Sequence, residues 1–249
     1  MGKLYLGTQA VTPFVYDKAD DIGIPREISQ SGVYQMPSSS FAYTLPAGAT
    51  DLGDHALYNA FYGCAGLTSA DLSGLTSISN ASGAQNAFYN CTSLASVDLS
   101  NLTTISGLRG MQSCFSGCTS LTSVGGSSAS VDLSNLTTIS DQYEMQTCFY
   151  GCTGIITVTF PSLAELTETG AGTALQLAFR NCTSLTSVSF PSLSTFGYTN
   201  ANAGYFNDML YGCTGVAVHF PAAIQSTIGS WTSVTNGFGG TNTTILYDL

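Results

Sequence analysis

The chain has 249 residues with 44% hydrophobic content, enough to bury a core and too apolar for a disordered polymer. Five Lys and Arg against 15 Asp and Glu give a net charge of -10, which removes the main electrostatic term of phosphate-backbone binding and argues against a nucleic-acid partner. Only 8% of residues are charged, and Ser, Thr, Gly and Asn fill the gap, a composition suited to short turns and exposed strand positions in a repeat protein.

Residues 1–40 lie outside any repeat. Met1 to Val11 lacks the continuous apolar stretch of a secretory signal, and no run in the chain is long enough to span a bilayer, so neither export by that route nor membrane insertion is expected. Lys3 to Tyr5 and Ala10 to Tyr16 read as two short strands about a turn near Gly7. The charged stretch Asp17 to Arg26 reads as a solvated linker, and the whole segment as an attachment extension. From Phe41 a half-formed repeat without Cys, carrying Tyr43, Leu45, Leu52 and Leu57, reads as the cap over the open end of a solenoid spanning residues 41–249.

The repeat itself is marked by Phe-x-[Gly/Asn]-Cys. Its cysteines, Cys64, Cys91, Cys118, Cys152, Cys182 and Cys213, step by 27, 27, 34, 30 and 31 residues, the range in which one period is one supersecondary unit. After each Cys, residues such as Leu94, Val97 and Leu99 give an alternating strand with one buried face. Before each Cys, a piece such as Gln85 to Tyr89 is long enough for one or two helical turns. Gly63, Asn90, Gly117, Gly151, Asn181, Gly212 and Gly240 then stand where a left-handed residue ends a helix. The expected fold class is therefore α/β: a solenoid of about seven coils, with a parallel sheet on one side, short helices or turns on the other, and worn copies at both ends. Phe238, Gly240 and Thr241 open the last copy, whose strand is expected to end at Leu249.

Ala-Phe-x-x-Cys-x-x-Leu-x-x-Val-x-Leu, at Ala87 to Leu99 and with Phe last at Ala178 to Phe190, resembles the BspA-like leucine-rich repeats of bacterial and protist surface proteins. Pro161, Pro191 and Pro221 after the strands fit the same pattern. The resemblance implies adhesion or recognition; neither catalysis nor a cofactor is expected. The opening MGKLYLGTQAVTP is similar to the starts of phage tail-associated proteins, which implies a virion protein whose residues 1–40 dock on other virion components. The expectation is a receptor-binding protein of a phage tail that takes a cell-surface glycan or protein and is compatible with a homo-oligomer. The alternatives are a bacterial surface or secreted adhesin and a purely structural virion component.

Three sets of residues are the candidate contacts. Between the inward strand positions runs a column of Asp71, Asp98, Asp132, Thr159, Ser189, His219 and Asp248. Its acids read as a solvated face rather than a cation site, because neighbours about 5 Å apart have no backbone cage. Ser189, His219 and Asp248 supply the residue types of a hydrolase triad, but side chains on parallel neighbours point the same way and no oxyanion donor is visible. A second column, after the repeat Phe, holds Tyr62, Tyr89, Ser116, Tyr150, Arg180, Tyr211 and Gly239; tyrosine there stacks on ligands or merely covers the coil. Third, the excess of seven residues in the third copy, including Gly125, Gly126, Ser127 and Ser128, reads as a loop leaving the solenoid beside its strand face and adding nothing to the core.

Eight cysteines are expected to be free, buried and small. Cys114, Cys118, Cys148 and Cys152 form Cys-x3-Cys twice, a pattern with a zinc reading, but Ala60, Ala87 and Ala178 hold the place of Cys114 elsewhere and mark an ordinary buried site, so no metal is expected.

Overall fold

The computed structural model describes residues 39–125, 130–167, 173–196, 204–229 and 238–249, with four short strands nearer the N-terminus. Those four pair in two antiparallel hairpins, Leu4–Leu6 with Gln9–Val11 and Glu27–Ile28 with Tyr34–Gln35. The expected strands around Gly7 are thus present, the first shifted by one residue and the second shorter than Ala10 to Tyr16, while the charged linker Asp17 to Arg26 lies outside the described residues.

The repeats wind into a solenoid with three walls. A nine-stranded parallel sheet takes one strand after another in chain order, from Phe41–Thr44 through Leu67–Asp71, Ser96–Asp98, Ser123–Val124, Ser130–Asp132, Thr157–Thr159, Ser187–Ser189 and Ala217–His219 to Thr244–Leu246. Alternation sets its faces: Val97, Val131, Val158, Val188 and Val218 are buried between half-buried neighbours. A second parallel sheet of five two-residue strands, Ser77–Ile78, Thr104–Ile105, Thr138–Ile139, Glu165–Leu166 and Thr195–Phe196, forms the next wall. The supposed cap strand Phe41–Thr44 is the first rung of the long sheet, pairing with Leu67–Asp71 across a bulge at Phe41 and Ala42.

The third wall corrects the α/β expectation. In place of the expected short helices the chain runs as linked turns, and the helices among the described residues are a single 3-10 turn, Ala222–Ile224, and the α-helix Gln225–Gly229. Alternate amides serve two directions. Ala56, Tyr58, Ala60, Tyr62 and Cys64 donate three residues back, whereas His55, Leu57, Asn59, Phe61 and Gly63 donate across to the carbonyls of Ala81, Gly83, Gln85, Ala87 and Tyr89 in the next coil. An α-helix would consume all of these groups internally; here half of them tie coils together. The geometry needs a left-handed residue every fourth position, met at His55, Asn59 and Gly63, at Ser82, Asn86 and Asn90, and at Arg109, Ser113 and Gly117. The Gly or Asn signal before each Cys is therefore a turn signal. In the last coil the left-handed glycine is Gly239 (φ 69°), not Gly240.

Stacking coils of one pattern lines up identical side chains. Phe61, Phe88, Phe115, Phe149 and Phe179 stack in sequence at 5.2, 5.4, 5.4 and 5.4 Å between ring centroids. Phe160, Phe190 and Phe220 form a second stack at 5.2 and 5.3 Å. All eight cysteines are buried and outside any disulfide, and their thiols also act as donors. The thiols of Cys91, Cys118, Cys152, Cys182 and Cys213 donate to the carbonyl oxygens of Phe61, Phe88, Phe115, Phe149 and Phe179 in the preceding coil, at 2.9 to 3.2 Å. Each of those carbonyls already accepts the amide three residues on, so the thiol uses its second lone pair. Among the described residues no group of His, Cys, Asp or Glu is arranged to hold a metal.

The third copy departs from its expected reading. Val124 pairs with Val97 on one side and with Val131 on the other, so the seven-residue excess does not simply leave the solenoid; it folds back and adds a rung to the long sheet. Both valines are fully buried. Gly125 permits the close return: its φ is 84°, and a Cβ there would lie 1.6 Å from the carbonyl oxygen of Asp132. On the short sheet Thr104–Ile105 still pairs directly with Thr138–Ile139. From the second coil to the fourth, the long sheet takes three steps where the short sheet takes two.

Candidate functional site

The outer strand face carries the first set of candidates. Asp71 sits beside Asp98, and Asp132, Thr159, Ser189 and His219 follow one another in register. The extra rung breaks the column: the place after Asp98 falls to Gly125, which separates it from Asp132. Gly126, Ser127 and Ser128 lie outside the described residues. At the other end, His219 pairs with Leu246 and not with Asp248, because the last copy reaches its strand, Thr244–Leu246, two residues earlier than its Phe-to-Leu spacing suggested.

The strand carboxylates are held by the turns that follow them. Asp71 Oδ1 accepts the Ser73 amide at 3.0 Å and the Ser73 hydroxyl at 2.6 Å, and Asp98 Oδ1 accepts the Ser100 amide at 2.9 Å. The Ser73 side-chain and backbone bonds hold the Asp71 carboxyl below the usual carboxylate range. Over the first rungs the face sinks into an open depression of about 420 Å³, lined by Thr44, Ser69, Asp71, Ser96, Asp98 and Ser123 among others. It ends at the strand where the extra rung begins.

The triad residue types do not assemble into a nucleophile and its base. Ser189 Oγ donates to Thr159 Oγ1 at 3.0 Å, while His219 Nδ1 lies 3.0 and 3.1 Å from the two oxygens of Asp248. The His219–Asp248 contact ties the last residues to the preceding coil.

The second column runs along the turn wall and splits in two. Tyr62 and Tyr89 stack at 4.8 Å and 8° between planes. Ser116, short and buried, interrupts the column, and then Tyr150, Arg180 and Tyr211 form a second stack in which the Arg180 guanidinium lies 5.9 Å from one ring centroid and 4.2 Å from the other. Beside this column stands a ladder that sequence reading missed. Gln85 donates to Gln112, Gln112 to Gln146 and Gln146 to Gln176, at 2.8, 2.6 and 2.6 Å. The signal was available: each glutamine stands four residues before a member of the tyrosine column.

The family comparison agrees with this repeat architecture. The model of the BspA type leucine rich repeat region matches residues 42–207 and 147–226, in six copies. The chain belongs to that BspA-type family. In this BspA-type repeat the recurring residues, such as Ala87, Phe88, Cys91, Leu94, Val97 and Leu99, are buried, and the strand face and tyrosine column fall between them. No curated protein matches the sequence. No helix among the described residues is long and apolar enough to cross a membrane.

Proposed function

We propose that the protein is a non-catalytic recognition and adhesion module that takes a cell-surface glycan or protein on the strand face. The observation that carries this reading is the depression over the first rungs. There a rigid hydrogen-bonded ladder presents serine and threonine hydroxyls beside the Asp71 and Asp98 carboxylates. Hydroxyls and carboxylates spaced by strand pitch offer matched donors and acceptors for a polyhydroxylated or peptide ligand, at little entropic cost because the backbone is already ordered. BspA-type repeats supply the scaffold for such a surface.

The module acts, in this proposal, as a receptor-binding component of a phage tail, with residues 1–40 docking on other virion proteins. The antiparallel hairpins of that segment, distinct in pairing from the parallel solenoid, support a separate attachment role. Mass spectrometry of purified virions tests the location. Its detection there supports the tail assignment, and its absence from virions with display on a bacterial surface replaces that assignment with an adhesin. For the binding face, Ser96→Arg fills the depression from a half-buried strand position that already lines it. Attachment to the cognate cell should fall at least tenfold with the melting temperature unchanged, and unchanged attachment would remove the strand face from the proposal.

A further inference from the structure

The Tyr150–Arg180–Tyr211 stack has features that covering a coil does not require. Arg109 and Arg180 are the basic residues of the solenoid, and neither forms an ion pair with a described residue. In a chain of net charge -10, a guanidinium on a partly buried wall with no carboxylate partner among the described residues is out of keeping with the surplus of acids. Its Nε is enclosed and has no hydrogen-bond partner among the described residues, which leaves the two terminal nitrogens as the groups that can serve a ligand. Two tyrosine rings hold it in place, and the Asn181 amide donates to the Tyr150 hydroxyl at 3.3 Å, steadying one of them.

Both ends of the stack are bracketed by small residues. Ser116 occupies the next place beyond Tyr150, and Gly239 lies against Tyr211, where a Cβ would come 3.1 Å from the tyrosine Cβ. Tyr211 is 48% exposed. The wall thus presents flat aromatic surface with polar tips beside one fixed planar cation. Tyrosine faces take the C–H face of a sugar ring, and the guanidinium fork matches a carboxylate in bidentate geometry. A single cation on an acidic protein disfavours densely charged polymers and suits one carboxylate per ring.

We propose that Tyr150, Arg180 and Tyr211 form a binding site for a carboxylate-bearing sugar ring, a uronic-acid unit of a glycan. The site lies on the turn wall and is independent of the strand-face reading.

Isothermal titration of the full chain with oligogalacturonate, with its fully methyl-esterified counterpart and with acetate tests this. The acid form should bind at least tenfold more tightly than either the ester or acetate. Arg180→Ala should abolish the difference between acid and ester, Arg180→Lys should retain only part of it, and Tyr211→Ala should weaken acid binding severalfold, while Tyr62→Ala in the neutral stack leaves it unchanged. Circular dichroism melts of each variant verify folding. Equal affinity for acid and ester, acetate binding as well as the sugar acid, no binding by the wild type, or full binding by a folded Arg180→Ala protein would each overturn the assignment. Because the strand-face proposal is read on Ser96→Arg and whole cells, its outcome and this one are separable.

Discussion

The turn wall and the strand face are built on the same coil yet bear sequence change very differently. On the turn wall nearly every place is committed, since Phe fills the stack, Cys donates to a carbonyl, Gln extends a ladder, and every fourth residue is left-handed. On the strand face one register position passes through Asp, Thr, Ser and His without disturbing its ladder, because only the buried valine between the outer residues carries packing. Stability therefore concentrates in the turn wall, where the tyrosine column is the row that varies, and variability in the strand face, a division suited to a recognition scaffold.

The sharpest way to break this contrast is Phe115→Ala, which removes the middle of the five-ring stack. It should cost about 3–5 kcal/mol in denaturant unfolding, and a cost no greater than that of a strand-face substitution would refute the division. Next in size is deletion of residues 125–131. This joins Ser123-Val124 to Asp132-Leu133 and restores the order of Ser96 to Leu99 in the second coil. The protein should fold with the long sheet one rung shorter, visible by crystallography, and lose about 2 kcal/mol with the burial of Val131. An unchanged stability would mean the extra rung is mere surface.

Cys118→Ala should cost about 1–2 kcal/mol, combining lost packing with an unanswered Phe88 carbonyl lone pair. The thiols also give a pH signature. Burial pushes the Cys118 thiol up to about 12 and that of Cys213 to about 11, from 9.0. The folded state then keeps protons that the unfolded state releases, so stability is complete below about pH 8.5 and falls as pH rises through the alkaline range. Unfolding midpoints measured from about pH 8 to about pH 11 should decline, less steeply in Cys118→Ala. A parallel decline in both would trace the effect to other groups. The smallest effect belongs to Asp98→Ala, within about 0.5 kcal/mol of wild type, although its contact with Ser100 is lost; a larger loss would show that the strand face is not free to vary.

Much of this architecture was legible because stacking turns period into geometry. The spacing of the six repeat cysteines and the alternation around Val97 located long-sheet strands such as Ser96–Asp98, Thr157–Thr159 and Ser187–Ser189 to within one residue, and Tyr62 and Tyr89 stack in the column their period defines. Other features escaped for physical reasons. Gly or Asn at a left-handed position ends a helix and links successive turns equally well, so Asn90 and Gly117 alone did not distinguish them. Val131 repeats the role of Val124 rather than replacing it, and a spacing argument that assumes one strand per coil takes the intervening residues for a loop. The register of the last coil depended on Phe238, but the strand it leads into arrives two residues early and leaves Asp248 beyond it. The split of the tyrosine column by Ser116 and the sandwiching of Arg180 were written in residue identity, yet their meaning required ring distances.

The alternate amides of the turn wall have an electrical consequence. The Phe61 amide donates to Ala87, and the next peptide in that row continues from Phe88 to Cys114, from Phe115 to Cys148, from Phe149 to Ala178, from Phe179 to Met209 and from Leu210 to Phe238. Every link points the same way, and four neighbouring rows repeat it between the first two coils. Peptide dipoles joined head to tail add, as they do in a helix. The solenoid therefore carries a permanent dipole along its axis, but with polarity opposite to a helix read in chain direction: carbonyl oxygens face outward at the first coil and amide hydrogens at the last. The C-terminal end of this acidic molecule is its electropositive pole in the backbone, and two such molecules would attract when stacked first coil to last.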